Sequence, residues 1–298
     1  MKIVLVGKGG QVGGELIAPL TALGTLSAVD RMTADLERPA DVVALLHRER
    51  PDVIVNAAAY TAVDKAEAEP ERARLVNATA VGAMATAAAD LGAVFIHYST
   101  DYVFDGTKTG RYTETDAPNP LSVYGATKLE GEQAVAAAGG RHWIFRTTWV
   151  CAAHGHNFIR TMLRLARERD DLRVVDDQWG VPTSAGLIAD VTAAFVARIA
   201  AGAEPATGIY HLAPHGETTW CRLARETLAA ATTAGVPLRC TPQRVAAITT
   251  ADYPLPARRP ANSRLDTSKL ETAMGTRLPE WQDNVAPVIA AIAAELLP

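Results

Sequence analysis

The sequence predicts an α/β fold, a doubly wound parallel sheet of the Rossmann type with a smaller C-terminal substrate lobe, and three observations carry that expectation. The first is a short apolar run, Ile3-Val4-Leu5-Val6, cut off by a glycine turn that feeds a helical pattern. Strands of a parallel sheet read as continuous apolar runs because helices cover both of their faces. The second is the recurrence of that unit: apolar strands and helical patterns alternate along the chain, as βαβ crossovers require. The third is size and composition, since 298 residues with 48% hydrophobic content fill one large α/β domain or two modest lobes.

The opening strand is followed by Gly7-Lys8-Gly9-Gly10-Gln11-Val12-Gly13 and a helix carrying Val12, Leu16, Ile17 and Leu20. Gly7, Gly10 and Gly13 have the G-x-x-G-x-x-G spacing, which lets backbone amides approach a pyrophosphate and sets a helix N-terminus beneath it. Thr25 to Val29 is the second strand and ends at Asp30, about twenty residues on, where an adenosine ribose is expected. Asp30 suits a free ribose hydroxyl, whereas Arg31 and Arg38 suit a 2′-phosphate, so the two signals leave NADPH and NADH both open. The polar stretch 31–39 then initiates a helix.

Pro51-Asp52 launches a third strand, Val53 to Asn56, followed by the small residues Ala57, Ala58 and Ala59 and by Tyr60-Thr61. Small residues at a strand's carboxyl end let a flat ligand approach closely. Residues 62–91 form two helical portions parted near Glu69-Pro70-Glu71, with Pro70 at a helix start and Asn77 inside the second portion, facing either solvent or the interior. The fourth strand, 93–98, ends in Ser99-Thr100-Asp101, and hydroxyls at that end project into the ligand crevice. Residues 105–120 form a long loop.

Ser122 is the predicted N-cap of the next helix, which carries Leu129 and Val135 inward. Tyr124 and Lys128 are four apart and share one helix face. An ammonium beside a phenol favours phenolate, lowering a pKa that starts near ~10 toward neutrality, where tyrosine serves as acid or base. Trp143 to Arg146 is a further strand. A loop with Gly155, His156 and Asn157, a helix at 158–169 and a Gly/Pro turn at 179–183 follow. His154 and His156 lack a third spaced ligand, so no metal site is expected there. A helix at 187–199 and a strand at 208–212 return the chain to the sheet, and loops and helices follow, including 219–234 and 285–297. The predicted division is a dinucleotide-binding domain of 1–149 and 184–213, interleaved with a substrate-binding lobe of 150–183 and 214–298. Within the lobe, 253–263 holds three prolines and the adjacent Arg258 and Arg259. Planar guanidinium groups suit phosphate oxygens, and a solvated basic loop is the other reading.

The net charge of -4 offers no electrostatic footprint for nucleic acid or an anionic membrane. The first strand starts at residue 2, leaving no room for a signal peptide, and no apolar run reaches transmembrane length, so a cytoplasmic protein is expected. Cys151, Cys221 and Cys240 are isolated and read as reduced thiols.

Five segments together carry a resemblance that covers nearly the whole chain: 7–13, 56–64, 98–104, 123–128 and Pro256-Ala257-Arg258-Arg259-Pro260. They resemble the dTDP-4-dehydrorhamnose reductase family of the extended short-chain dehydrogenase/reductases. The Tyr-x-x-x-Lys pair marks only the superfamily; the runs around Asn56 and Arg258 are more specific. The resemblance implies a reductase that passes hydride from NADPH or NADH to C4 of a dTDP-4-dehydro sugar. Thr100, Tyr124 and Lys128 would be its catalytic residues, with Tyr124 the proton donor, Lys128 holding the nicotinamide ribose and Thr100 bonding the reacting oxygen. Gln11, Val12, Asp35 and Leu36 would join Gly7, Gly10, Gly13, Asp30, Ala57, Ala58, Ala59, Tyr124 and Lys128 as the dinucleotide contacts. Thr61, Val63, Thr100, Trp149 and Asn157 would line the substrate site, with Arg258 near its diphosphate and Asn77 supporting a water relay. Some relatives bind magnesium at a dimer interface; Glu15 matches one of the carboxylates, but Gly186 and Ala291 stand at the others, so no metal is expected and a homodimer is left open. A nucleotide-sugar epimerase or dehydratase of the same superfamily, or a non-catalytic nucleotide-binding regulatory subunit, are the competing readings. The intact Thr100, Tyr124 and Lys128 set speaks against the last.

Overall fold

Six parallel strands form the centre of the computed structural model, which describes residues 1–297; Pro298, the last residue assigned to the lobe, lies outside them. They are β1 (Lys2–Val6), β2 (Thr25–Val29), β3 (Val53–Asn56), β4 (Val94–Thr100), β5 (His142–Thr147) and β6 (Gly208–His211), in the order β6-β5-β4-β3-β1-β2. The order reverses between β1 and β3, where Val6 pairs with both Val29 and Asn56. In an open α/β sheet that reversal opens the ligand crevice at the carboxyl ends of the strands.

Alternate residues of each strand enter different cores, which explains the unbroken apolar runs. On one face Ile3, Leu5, Val53, Val55 and Ile96 pack with Leu16 and Leu20 of α1 (Gln11–Thr21) and Ile188 and Phe195 of the helix Ala185–Ala200. On the other, Val4, Val6, Ile54 and Phe95 meet Val42, Leu45 and Leu46 of α2 (Pro39–Glu49) and Val81 and Met84 of α3 (Ala80–Leu91). The split at Pro70 holds: Pro70–Arg74 is a separate α-helical turn, and Leu75–Thr79 is π-helical before α3 begins. A π-turn interrupts the α-helical ladder and often marks a functional position; this one contains Asn77.

The helix α4 (Val123–Ala137) starts as expected, with the Ser122 side chain accepting from Gly125 N at 3.2 Å. One turn beyond Lys128, Glu132 accepts two bonds from Arg146 of β5, at 2.8 and 2.6 Å, with both side chains 2% exposed.

The helix Ala185–Ala200, α6, belongs to the sheet core; a third core joins α5 (Phe158–Glu168), α7 (Trp220–Thr233) and α8 (Trp281–Leu296), which contribute Ile159 and Leu163, Leu223 and Leu228, and Val285 and Ile289. Two expectations are corrected in this region. The chain after 212 is not only loops and helices: Val245–Ile248 pairs in parallel with Leu172–Val175. That strand is too short, with Ala246 and Ala247 exposed, to show a sequence period. The helix Ser268–Met274, assigned to the lobe, packs Leu270 and Met274 into the core of the sheet. Among the described residues no helix is long and apolar enough to cross a membrane.

Candidate active site

Gly7 leaves β1 with φ +96°, and a Cβ there would stand 2.6 Å from Ala58 N; a Cβ on Gly13 would stand 2.7 Å from the Gly7 carbonyl carbon. No other residue fits either place, so the turn draws Ala57 and Ala58 against the start of α1. That helix begins at an N-cap, Gly10, with no side-chain cap and no acidic residue in its first turn, and a Cβ on Gly9 would meet nothing within 4 Å. Unsatisfied amides, a positive helix end and an open approach fit a pyrophosphate. Gln11 and Val12 form the first turn of that helix.

Beside the turn lies a pocket lined by Gly7, Asp30, Asp35, Leu36, Ala58 and Ala59, six of the thirteen expected dinucleotide contacts. Asp30 accepts from Met32 N at 3.0 Å and faces Lys8 at 3.5 Å. The two arginines singled out by sequence part company. Arg31 lines the pocket with its guanidinium 2.6 Å from Glu37, whereas Arg38 is exposed and paired with Asp41 at 3.2 Å. Arg72, from Pro70–Arg74, lines the pocket and reaches the same Glu37 oxygen at 2.7 Å. Sequence reasoning missed Arg72 and Glu37 because they meet across 35 residues and belong to no spaced motif. Thr61, expected on the substrate side, lines this pocket instead, because the chain after β3 turns along its rim.

Thr100 ends β4 and is buried; its hydroxyl donates to Asp101 Oδ1 at 3.1 Å and accepts from Tyr102 N at 3.2 Å. Asp101 is buried as well, and loss of solvent pushes its carboxyl up to about 6. Tyr124 in the first turn of α4 meets the Tyr102 ring edge-on, with centroids 5.7 Å apart. Lys128, one turn on, is 2% exposed and places Nζ 2.5 Å from the Tyr98 carbonyl oxygen and 3.1 Å from His97 Nε2. The expected direction of the tyrosine shift is corrected here. Burial, and then the Asp101 charge, push the Tyr124 phenol up to about 12, with the Thr100 hydroxyl acting in the opposite sense, while Lys128 is not among the causes. The ammonium is engaged by β4, and its own burial draws it down to about 8 against the pull of Glu132.

Asn77 points inward, with its amide committed: Oδ1 accepts from Tyr60 N at 2.8 Å, and Nδ2 donates to Tyr60 O and Thr127 Oγ1 at 3.1 and 3.2 Å. It braces the segment after β3.

The lobe supplies a cavity of about 840 Å³ lined by Tyr102, Phe158, Trp220, Tyr253 and Arg258, so Tyr102 borders both the cavity and the Tyr124 phenol. Arg258 is exposed there and makes no ion pair among the described residues, whereas Arg259 is locked to Asp64 at 2.7 Å. Three expected substrate contacts have other surroundings. Trp149 is not in the cavity lining; it lies flat on Trp220, centroids 3.6 Å apart, with a strained φ of +46°. Asn157 caps α5 through Arg160 N and donates to Gln11 Oε1 and Ala152 O at 2.8 Å, so its amide joins the lobe to the glycine turn. Val63 opens the short helix Val63–Ala66, whose Asp64 holds Arg259. The Glu15 carboxylate faces His154 at 3.4 Å.

The chain as a whole is similar to known proteins. A family profile described as RmlD substrate binding domain matches residues 1–294. The chain is 50% identical over 289 residues to the dTDP-4-dehydrorhamnose reductase of Escherichia coli (strain K12), covering 96% of each chain. It is 43% identical to that of Sinorhizobium fredii over 298 residues, covering 99% of each. Among solved structures, a dTDP-4-dehydrorhamnose reductase ortholog from Clostridium acetobutylicum superimposes with a TM-score of 0.87 at 35% identity, over 97% of this chain and 98% of that one. The reductase from Bacillus anthracis, solved in complex with NADP, gives 0.85 at 28% identity over 99% of each chain. A match of this length and identity to both sequence and fold leaves one assignment: the chain belongs to the RmlD substrate-binding-domain family of dTDP-4-dehydrorhamnose reductases.

Proposed function

We propose that this protein reduces dTDP-4-dehydro-L-rhamnose to dTDP-L-rhamnose in the cytoplasm, with Thr100, Tyr124 and Lys128 as its catalytic residues. The observation that supports the reading is that buried Thr100 ends β4, buried Lys128 bonds the Tyr98 carbonyl of the same strand, and Tyr124 lies one turn before Lys128 on α4. A bound nicotinamide dinucleotide supplies hydride to C4 of the sugar. The uncapped amides of α1 hold its pyrophosphate, and Ala57, Ala58 and Ala59 border its adenosine half. NADPH is the favoured cofactor, with Arg31 and Arg72 available to a 2′-phosphate; Asp30 makes NADH the alternative. No step is assigned to a metal, because Gly186 and Ala291 offer no side-chain donors beside Glu15.

Tyr124 donates its proton to the C4 oxygen as that oxygen gains charge, Thr100 bonds the same oxygen, and Lys128 steadies the phenolate left behind. The lobe, without the helix Ser268–Met274, would hold the nucleotide sugar, with Arg258 at its diphosphate and Tyr102, Phe158 and Trp220 around the apolar parts of the cavity. Tyr124→Phe removes the proton and little else. Turnover of the dTDP sugar is expected to fall by roughly 10² to 10⁴-fold while dinucleotide affinity stays within about threefold. Full turnover in that variant refutes the assignment of Tyr124.

A further inference from the structure

Behind Lys128 lies a buried line of polar groups that the reaction as described does not use. It starts at the backbone of Ala58, in the pocket wall, and runs through Asn56, the last residue of β3, to His97 on β4. Ala58 N donates to Asn56 Oδ1 at 3.1 Å; Asn56 Nδ2 lies 3.1 Å from His97 Nδ1; His97 Nε2 lies 3.1 Å from Lys128 Nζ; and Nζ donates to Tyr98 O at 2.5 Å. Asn56 and Lys128 are nearly buried and His97 is fully so, leaving water no part in satisfying these groups.

The polarity of this line follows from its first member. A backbone N–H can only donate, so the oxygen of the Asn56 amide must face Ala58 and its NH₂ must face His97. His97 Nδ1 is therefore the acceptor, and the ring proton of the neutral imidazole sits on Nε2, pointing at Lys128. Nζ can accept that proton only as a neutral amine; as an ammonium it meets another donor, with no acceptor in reach on that side. Reversing the amide merely moves the donor clash to Ala58.

We propose that His97 is a positioning residue whose Nε2–H, oriented by Asn56, holds Lys128 close to its neutral amine form and so sets the pH at which the ammonium beside Tyr124 is lost. Burial of both groups acts in the same sense, lowering the proton affinity of Lys128 and of His97. The other groups facing Lys128 are few. From α4, Tyr124 and Glu132 flank it one turn either side, with Glu132 bound to Arg146 of β5. From β4 comes the Tyr98 carbonyl; the Tyr98 phenol is 2.8 Å from Thr192. Asn56 from β3 is neutral. Glu132 alone draws a proton toward Lys128, and His97 opposes it.

The effect on turnover rests on the reductase reading above; the ring tautomer does not. The deciding measurement is ¹⁵N NMR of the full chain labelled at histidine, with His97 assigned through bonds. In the wild type, Nε2 is expected to carry the proton and Nδ1 to be bare. Asn56→Asp presents carboxylate oxygens to both Ala58 and His97, so the proton moves to Nδ1, Nε2 becomes an acceptor, and the ammonium of Lys128 is stabilised. The alkaline loss of turnover then moves up by at least about one pH unit, with the ¹³Cε titration of labelled lysine moving alongside. A wild-type ring protonated at Nδ1 overturns the proposal, whether or not Asn56→Asp folds. An unmoved Lys128 titration in a folded Asn56→Asp variant with a switched ring overturns it as well. If the tautomers switch and Lys128 shifts while turnover does not follow, the catalytic role of Lys128 fails and the relay stands.

Discussion

Replacing Glu132 by glutamine tests how α4 is anchored. The Glu132 carboxylate accepts from Arg146 Nε and Nη2 at 2.8 and 2.6 Å, and both side chains are 2% exposed. The guanidinium keeps its charge at any working pH, so Glu132→Gln strands a buried cation with one acceptor in place of two charged ones. Breaking such a pair from one side costs about 3–5 kcal/mol. Arg146 keeps its position over the Phe104 ring, 5.0 Å from the centroid, which favours the lower end, about 3 kcal/mol. Domains of this kind have about 5–15 kcal/mol of stability in all, so the urea midpoint should fall visibly at unchanged slope. Replacing both members, by Glu132→Leu with Arg146→Met, should recover most of the loss, because an apolar pair leaves no charge uncompensated. A loss below about 1 kcal/mol in the single variant, or a double variant less stable than it, refutes the reasoning. The same change carries a second signature. Glu132 is the charge that supports the Lys128 ammonium, so without it the lysine titrates lower and the alkaline loss of turnover moves to lower pH.

Two further outcomes follow from the site. Gly13→Ala forces a methyl against the Gly7 carbonyl, with the carbonyl carbon only 2.7 Å away. Dinucleotide affinity, read by fluorescence titration, should weaken about tenfold or more, equivalent to about 1.4 kcal/mol or above, with the fold retained by circular dichroism; unchanged affinity contradicts the tight turn. Asp101 gives a pH dependence of opposite sign to that of a salt-bridged carboxylate. Its group rises from an ordinary 3.8 to about 6 in the folded chain, mainly through burial. Below the lower value both states hold the proton. Between the two, the native state keeps it and the unfolded state releases it, so stability falls as pH rises, by about 3 kcal/mol in all, and levels off above the folded value. Denaturant titrations across that window should show the decline in the wild type and its absence in Asp101→Asn; an equal decline in both removes Asp101 as its source.

The sheet was legible because its strands are buried on both faces: Val4 and Leu5, adjacent in sequence, enter different cores, and the run reads as unbroken. Helix starts at Pro70 and Ser122 were legible for local reasons, a ring that fits a first turn and a hydroxyl that caps one. What escaped the sequence lies between elements. Arg259 finds Asp64 across 195 residues, and Trp149 finds Trp220 through a backbone angle that nothing in its neighbours specifies. Val245–Ile248 becomes a strand only because Leu172–Val175 lies beside it.

The Tyr124 and Lys128 pair separates the two kinds of information most clearly. A spacing of four places both on one face of α4, which is a property of the helix alone. The proton affinity of each depends on what the facing strand presents, and β4 presents the Tyr98 carbonyl and His97 to the amine and Asp101 near the phenol. Burial and the Asp101 charge therefore move Tyr124 up to about 12, where helix spacing alone suggests a fall. That reversal suits the direction of the reaction. A phenol that holds its proton through neutral pH is the form the proposed reduction needs, because the role proposed for Tyr124 is to give a proton to the C4 oxygen and not to take one. On the same proposal Lys128 matters most after the transfer, when the phenolate has formed and a positive neighbour lowers its energy.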